Sequence, residues 1–145
     1  LWATEHGPRG GDELNRIEPG RNYGWPVISH GQPQIGETIH GKEYPGMEQP
    51  VVQWTPGIAA GALAFYTGDR FPRWKNHLFL ATLAHQELRR IEVEGDRVTH
   101  QEILIKNEGR VRDVVTGPGG YLYVVFNNPG RIVRLVPVAE TTATP

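Results

Sequence analysis

The sequence predicts an all-β protein built from repeated antiparallel units, and three observations support this class. Glycine and proline are abundant, with 18 and 12 of the 145 residues, and they favour turns between short strands over long helices. Apolar residues alternate with polar ones in stretches such as 88–93, which is the period of a strand. A two-strand pattern also recurs along the chain.

The repeat consists of a short apolar strand, a turn, and a return strand of alternating character. Its copies lie at 1–5 with 13–17, at 78–82 with 87–91, and at 122–126 with 131–135. The last two copies align without a gap, 44 residues apart, which is a typical period of propeller blades. The sequence therefore predicts a β-propeller domain over residues 1–145, of which this chain supplies about three blades.

The connecting segments also carry predictions. Glu94-Gly95-Asp96 reads as a tight turn into the next strand, and Pro118-Gly119-Gly120 as a second strong turn. Ser29 to Val52 lacks periodicity and is predicted as a long excursion between the first and second copies. Val138 to Pro145 is predicted as a frayed tail. Aromatic residues are expected to fill the blades; they are Trp25, Trp54, Phe65, Trp74 and Phe79.

Composition excludes several function classes. The net charge is −1, with 15 basic and 16 acidic residues spread along the chain, so neither a nucleic acid nor a membrane surface is an expected partner. No apolar run reaches the length of a membrane span or a signal peptide. Cysteine is absent, so there is no disulfide framework. The chain opens at Leu1 without a methionine, and we interpret it as part of a larger protein.

The richest chemistry lies in residues 4–15, followed by residues 20–26. This stretch brings carboxylates, an imidazole and a guanidinium together with glycines at 7, 10 and 11, which let the backbone approach a ligand closely. Bare carbonyls and carboxylates are the ligands that Ca²⁺ prefers, although the spacing is not that of an EF-hand. The alternative is a polar hairpin loop in which Asp12 and Glu13 are merely solvated.

Five motifs carry a resemblance to a known family. They are His-Gly-Pro-Arg-Gly-Gly-Asp-Glu-Leu-Asn at 6–15, Asn-Tyr-Gly-Trp-Pro at 22–26, Leu-Ala-Phe-Tyr at 63–66, Arg-Val-Arg-Asp-Val at 110–114 and Gly-Pro-Gly-Gly-Tyr-Leu-Tyr at 117–123. The chain resembles, over nearly its whole length, the soluble aldose sugar dehydrogenases that depend on pyrroloquinoline quinone (PQQ), within the glucose/sorbosone dehydrogenase family. The resemblance implies the C-terminal half of a six-bladed, periplasmic or secreted quinoprotein.

The same resemblance implies the chemistry. Such an enzyme oxidises the C1 hydroxyl of an aldose to a lactone by hydride transfer to PQQ, and an external electron acceptor then takes the electrons. Gly7 and Pro8 match the carbonyls that hold the cofactor's Ca²⁺, and His6 matches a cofactor contact. Glu13 and Tyr23, with Asp12, match a second, structural calcium site.

Arg110 and Arg112 match a pair that reaches towards the cofactor. Residues two apart on a strand face the same way, and paired guanidinium groups suit the carboxylates of PQQ. The alternative is a solvated basic stripe paired with Asp113 or Glu108.

The chain also departs from the family pattern. Ala84 stands where relatives often carry a lysine against the cofactor, and His85 or Arg89 are the candidates to replace it. Residues 58–63 replace a more usual Pro-Ser-Gly. The family's general base is a histidine of the N-terminal half, so no catalytic residue is expected in this chain, and the chain alone is expected to be inactive.

Two further hypotheses stay open at this point. The chain could be a non-enzymatic propeller module that uses a structural calcium site for binding or self-assembly, since a fold does not dictate a function. Three open blades also expose strand edges, so two copies could pair as a homodimer that completes a six-bladed ring.

Overall fold

Short antiparallel strands make up the regular structure. The computed structural model of the chain describes residues 1–33, 36 and 39–138. Its strands are β1 (Trp2–Glu5), β2 (Asp12–Arg16), β3 (Val52–Trp54), β4 (Ala60–Phe65), β5 (Leu78–Thr82), β6 (Glu87–Glu94), β7 (Arg97–Lys106), β8 (Arg110–Thr116), β9 (Leu122–Asn127) and β10 (Arg131–Arg134). Single 3₁₀ turns lie at Pro72–Trp74 and Pro118–Gly120. The predicted all-β class is confirmed.

The strands form three antiparallel sheets, which we call blades 1 to 3. Blade 1 is β1-β2-β3, blade 2 is β4-β5-β6-β7, and blade 3 is β8-β9-β10. Strand β4 packs against β1 on one side and β8 on the other, so the blades lie face to face in chain order. This arrangement confirms the predicted partial β-propeller of about three blades.

The sequence repeat corresponds to one hairpin in each blade. Residues at equivalent positions of the three copies also pair in register: Ala3 faces Asn15, Leu80 faces Arg89, and Val124 faces Val133. The predicted tight turn joins β6 to β7, because Glu94 pairs with Arg97 across Gly95 and Asp96. Gly95 has φ of 64°, a conformation that costs glycine little.

Strand β5 lies between two hydrophobic cores. Leu78 and Leu80 belong to the core between blades 1 and 2, together with Leu14. Phe79 and Ala81 belong to the core between blades 2 and 3. Because successive side chains of a strand point to opposite faces, β5 serves both cores and is buried at every position.

The prediction that aromatic side chains fill the blades is correct for only some of the residues it named. Trp54 and Phe79 are buried, at 9% and 0% exposure, whereas Trp25 and Phe65 are 50% and 45% exposed. The prediction is therefore wrong for Trp25 and Phe65. Trp25 lies in a turn outside the blades, and Phe65 lies beside Leu1 and Trp2 in an open hollow.

Two predicted segments fall partly outside the described residues. Residues 34, 35, 37 and 38 of the excursion and residues 139–145 of the tail lie there, so their boundaries stay predictions. The described part of the excursion runs as turns and irregular backbone up to β3, which pairs with β2. In the described ranges no helix has the length and apolar character that crossing a membrane requires.

Candidate functional site

The residues predicted from the sequence to form a site meet at one end of the blades. We call it the loop end: β1, β5 and β9 finish there, and β4 and β8 begin there, since Ala60 pairs with Thr82 and Arg110 with Asn127. The hydroxyl of Thr4 donates to the carbonyl of Gly61 at 2.7 Å. The start of β4 therefore adjoins the loop between β1 and β2.

Asp12 is buried, with 2% exposure, and joins two separate segments at the loop end. Its Oδ1 accepts the N–H of Gly7 at 3.0 Å, and its Oδ2 accepts the N–H of Ala60 at 2.9 Å. Both oxygens are thus used within the protein, which gives the carboxylate a structural task. Its assignment as a calcium ligand stays a prediction.

The β1–β2 loop lies in direct backbone contact with residues 30 and 31. A Cβ on Gly11, where φ is 70°, would lie 2.1 Å from the Gly31 nitrogen, and a Cβ on Gly31 would lie 2.3 Å from the Pro8 carbonyl oxygen. Only glycine permits such an approach. The Pro8 carbonyl therefore lies against Gly31 in this arrangement, whereas the His6 side chain beside it is exposed.

Two carboxylates face each other across the first hairpin. Glu5 and Glu13 are directly opposite in the β1–β2 pairing, and Glu13 is buried at 8% exposure. The amide of Asn15 donates to Glu5 at 2.8 Å and to Glu13 at 3.2 Å. Asn15 is itself buried, and its Oδ1 has no hydrogen-bond partner within the described residues.

The protonation of Glu13 reflects this crowding. Burial raises the pKa of Glu13 above its ordinary value of 4.5; the hydrogen bond from Asn15 opposes this effect, and the negative charge of Glu5 adds to it. Opposed carboxylates beside an unpartnered carbonyl oxygen are the surroundings that a cation would stabilise.

A small cavity of about 10 Å³ adjoins these groups, and its walls include Glu5, His6, Glu13, Tyr23 and Trp25. Such a volume holds about one water-sized occupant. The Tyr23 hydroxyl is engaged elsewhere, because it donates to the Arg16 carbonyl at 2.8 Å and accepts the N–H of Glu18 at 2.7 Å. A metal contact by Tyr23 stays a prediction, and it would have to use another atom of this residue.

Arg110 and Arg112 lie on β8 at the loop end of blade 3. Both are exposed and flank the buried Val111, although a bulge falls between Val111 and Asp113. A Cβ on Gly61 would lie 3.8 Å from the Arg112 carbonyl oxygen, so this part of β8 adjoins the start of β4.

The alternative pairing partners of the two arginines are engaged elsewhere. Glu108 accepts a hydrogen bond from Arg131 at 2.7 Å, and Asp113 accepts the N–H of Val114 at 2.8 Å. In the part of the chain that the structure describes, no ion pair joins Arg110 or Arg112 to a carboxylate. This arrangement argues against a basic stripe neutralised within the protein.

Ala84 stands where relatives often carry a lysine, and the two candidates to replace that lysine, His85 and Arg89, lie beside the carboxylate of Glu87. Arg89 binds the buried carboxylate of Glu87 at 2.6 Å, and the His85 ring nitrogen lies 3.9 Å from it. Burial disfavours the charge of Glu87, but hydrogen bonds from Lys106 and Arg89 outweigh burial and lower the pKa of Glu87. Arg89 is therefore committed to Glu87, while His85 remains a third exposed.

The described residues contain no ready-made cluster of metal-binding side chains. Within residues 1–33, 36 and 39–138, there is no group of three or more His, Cys, Asp or Glu side chains that could hold a metal ion. A cation at the loop end would therefore need oxygens of other kinds, such as the Asn15 amide and backbone carbonyls.

Comparison with known proteins places this geometry in a family. Residues 1–134 match the sequence profile of a family described as Glucose / Sorbosone dehydrogenase. The chain belongs to the glucose/sorbosone dehydrogenase family. This membership confirms the resemblance that the motifs indicated.

Relatives in the glucose/sorbosone dehydrogenase family agree with this assignment. The aldose sugar dehydrogenase YliI of Escherichia coli K12 is 42% identical over 142 residues, which cover 94% of this chain and 38% of that protein. A solved structure titled "glucose dehydrogenase" superposes with a TM-score of 0.86 at 42% identity, covering 94% of this chain and 40% of its own. The chain thus spans about two fifths of the length of these relatives.

A further family structure was solved with a cofactor. The PQQ-bound form of aldose sugar dehydrogenase from Streptomyces coelicolor superposes with a TM-score of 0.69 at 28% identity, covering 94% of this chain and 39% of its own. The likeness therefore extends to a family member that holds PQQ.

Sequence reasoning missed Glu5, Asn15 and Glu87. Asn15 follows Glu13 by two positions, and this strand spacing could have indicated that both side chains lie on the same face. The role of Glu5 depends on the strand register of the first hairpin, whose connection is longer than that of the two copies that align without a gap. The local partner Arg89 alone does not mark Glu87 as a site residue, because the second partner, Lys106, comes from another strand.

We expect Asp12→Asn to destabilise the fold by about 1–3 kcal/mol, because an amide nitrogen cannot accept either backbone N–H and one of them is left unpaired. Asp96→Asn is the matched control. Its carboxylate pairs with Arg16 at the surface and is 65% exposed, so a change of about 0.5 kcal/mol or less is expected. Urea unfolding measures both, and equal effects would contradict the structural task of Asp12.

The raised pKa of Glu13 gives a pH dependence with a defined sign. A carboxyl whose folded-state pKa lies above 4.5 contributes stability that is full below the unfolded value and lost as pH rises through the folded value. In the presence of a chelator, Glu13→Gln should therefore be more stable than the unmodified chain at neutral pH. This advantage should shrink as the pH falls through the raised pKa of Glu13, and it should be lost below pH 4.5.

Thermal unfolding across that pH range measures the effect. Glu43→Gln at an exposed position provides the baseline. A Glu13→Gln variant that is less stable than the parent chain at neutral pH would show that Glu13 is not under electrostatic strain.

Proposed function

We propose that this chain is part of a PQQ- and calcium-dependent aldose sugar dehydrogenase that oxidises the C1 hydroxyl of the sugar to a lactone by hydride transfer to the quinone. One observation carries the proposal: Arg110 and Arg112, without carboxylate partners in the described residues, share the loop end with the exposed His6. Family membership and a PQQ-bound relative support it.

The two arginines fit an anionic cofactor. Exposed guanidinium groups form strong, directional hydrogen bonds with carboxylates, and they remain charged at every relevant pH. In this role Arg110 and Arg112 bind and orient the carboxylates of PQQ, and His6 contacts it from blade 1. Bound PQQ would supply the quinone that accepts the hydride, with a calcium ion polarising it.

Calcium fits the first hairpin of the chain. Glu5 and Glu13 oppose each other, and no Lys or Arg of the described residues forms an ion pair with either of them. The Oδ1 of Asn15, which has no hydrogen-bond partner among the same residues, supplies a third oxygen. We propose Glu13, with Glu5 and Asn15, as the side chains that hold a structural Ca²⁺. The Gly7 and Pro8 carbonyls are proposed for the cofactor's own calcium ion.

The general base is proposed to come from outside this chain. A base must reach the proton of the sugar hydroxyl that it removes, and family resemblance assigns this role to a histidine of the N-terminal half. The isolated chain is accordingly proposed to bind the cofactor without turnover. The sugar, an external electron acceptor and a periplasmic or secreted location are proposals from the family, and cell fractionation checks the location.

Titration calorimetry of PQQ into the chain, with and without Ca²⁺, tests the proposal. We expect calcium-dependent binding that weakens by about a hundredfold or more in the Arg110→Ala, Arg112→Ala double variant, because two charge-assisted contacts are lost. Arg70→Ala, Arg134→Ala is the matched control, since both guanidinium groups lie over Tyr121 just before β9, at the end of the β8–β9 pair opposite Arg110.

The outcomes of these titrations distinguish the dehydrogenase from the non-enzymatic module. PQQ binding that ignores the arginines would contradict the cofactor role of β8. Calcium binding without PQQ binding would favour the non-enzymatic module, and Glu13→Gln should abolish that calcium binding if the first hairpin holds the ion. Turnover of sugar by this chain with PQQ would overturn the proposal that the base lies elsewhere.

Pairing of two copies is a separate proposal. Strand β1 forms one edge of blade 1, and beside it lies an open hollow lined by Leu1, Trp2, Leu63, Phe65 and Leu78. Exposed apolar residues along an open edge favour strand addition. Sedimentation at high concentration should then give twice the mass of the chain, and a strictly monomeric mass would exclude a homodimer.

A further inference from the structure

The segment that leads into the two proposed cofactor arginines is short and conformationally demanding. The β7–β8 linker, Asn107 to Gly109, joins the end of β7 to Arg110. Asn107 has φ of 60° and Gly109 has φ of 122°, so two of its three residues leave the usual backbone regions. The direction in which β8 leaves this linker sets where Arg110 and Arg112 point.

On the blade 2 side, the linker is held through Glu87. Its buried carboxylate, with 1% exposure, binds the Lys106 ammonium at 3.0 Å. The neighbouring carbonyl of Gln86 accepts the N–H of Asn107 at 3.1 Å. The same carboxylate binds Arg89 at 2.6 Å, so its oxygens are occupied and it is itself fixed in place.

On the blade 3 side, the linker is held through Arg131. One guanidinium nitrogen donates to the Glu108 carbonyl at 2.8 Å and to the Glu108 carboxylate at 2.7 Å. The same group lies over the ring of Phe126, 4.6 Å from its centre. Gly109 is buried against the next turn, where an added Cβ would lie 3.1 Å from the Asn128 carbonyl oxygen.

We propose that Glu87 and Arg131 act as positioning residues, which clamp the β7–β8 linker from both sides and so preorient Arg110 and Arg112 towards the carboxylates of their ligand. The ligand part of this inference rests on the proposed function, with PQQ as the anion. Long arginine side chains lose much rotational freedom on binding, and a fixed backbone at their origin reduces that loss.

Glu87 does not contact the ligand in this arrangement. It is buried, its charge is neutralised by Arg89 and Lys106, and Lys106 is followed directly by the linker. If the clamp acts through the backbone, its removal should both speed the opening of the linker and weaken ligand binding. Mere loss of stability would instead raise amide exchange throughout the chain.

The experiment compares hydrogen exchange of the 107–112 amides and PQQ binding with Ca²⁺ in matched variants. Glu87→Gln, Lys106→Met and Arg131→Met remove the clamp, and Lys106→Arg conserves its charge. Controls keep the strand and the residue type: Glu92→Gln also lies on β6 and loses a pair with Arg90, and Arg134→Met lies on β10 and loses a contact with Tyr121.

We expect the clamp variants to exchange the linker amides about tenfold faster, since each of them loses a charge-assisted hydrogen bond that holds the linker or the end of β7. PQQ should bind them about tenfold more weakly. The controls and Lys106→Arg should match the parent chain in both measurements. Because Lys106 and Arg131 are partly exposed, their variants keep the test valid if Glu87→Gln fails to fold.

Unchanged linker exchange, or equal increases in the controls, would overturn the clamp. A faster linker with undiminished PQQ affinity would overturn the positioning role. If the parent chain binds no PQQ, the proposed function fails for this chain, and the exchange data still decide whether Glu87 and Arg131 hold the linker.

Discussion

The loop end of the molecule depends on one buried carboxylate, that of Asp12. It accepts backbone N–H groups from Gly7 in the β1–β2 loop and from Ala60 at the start of β4, so one charge connects blade 1 to blade 2. Backbone amides are good partners for a buried carboxylate because they satisfy its oxygens without long side chains that would have to be ordered. This contact therefore fixes the β1–β2 loop at Gly7 relative to the first residue of β4.

Charges at the loop end follow an order from blade to blade. Blade 1 carries the opposed carboxylates of Glu5 and Glu13, blade 2 carries Glu87 neutralised by Arg89 and Lys106, and blade 3 carries the exposed Arg110 and Arg112. Buried carboxylates without a counter-charge cost free energy. A ligand that combines a cation with carboxylates, as we propose for calcium and PQQ, would relieve the excess at both ends of this series.

Much of the fold could be predicted from sequence, because its hairpins are local and repeat. The pairs Leu80 with Arg89 and Val124 with Val133 follow from a gap-free alignment, and the apolar alternation of β5 follows from strand geometry. The candidate site was only partly predictable. The motifs predicted His6, Asp12, Glu13, Arg110 and Arg112 as site residues, and these assignments stay predictions. The contacts of Asp12 with Ala60 and of Glu87 with Lys106 join residues 48 and 19 positions apart, which no local pattern encodes. Trp25 was misplaced because aromatic character alone does not distinguish a core from an exposed turn.

The double burial of β5 has a consequence for how the chain comes apart. Phe79 packs towards blade 3 while its neighbours Leu78 and Leu80 pack towards blade 1, so one five-residue strand is shared by both cores. Detaching either outer blade would expose one face of that strand to water and weaken its packing against the other blade. Because β5 contributes to both cores, we expect the three sheets to unfold as a single cooperative unit. Partly unfolded forms that lose only one blade are disfavoured.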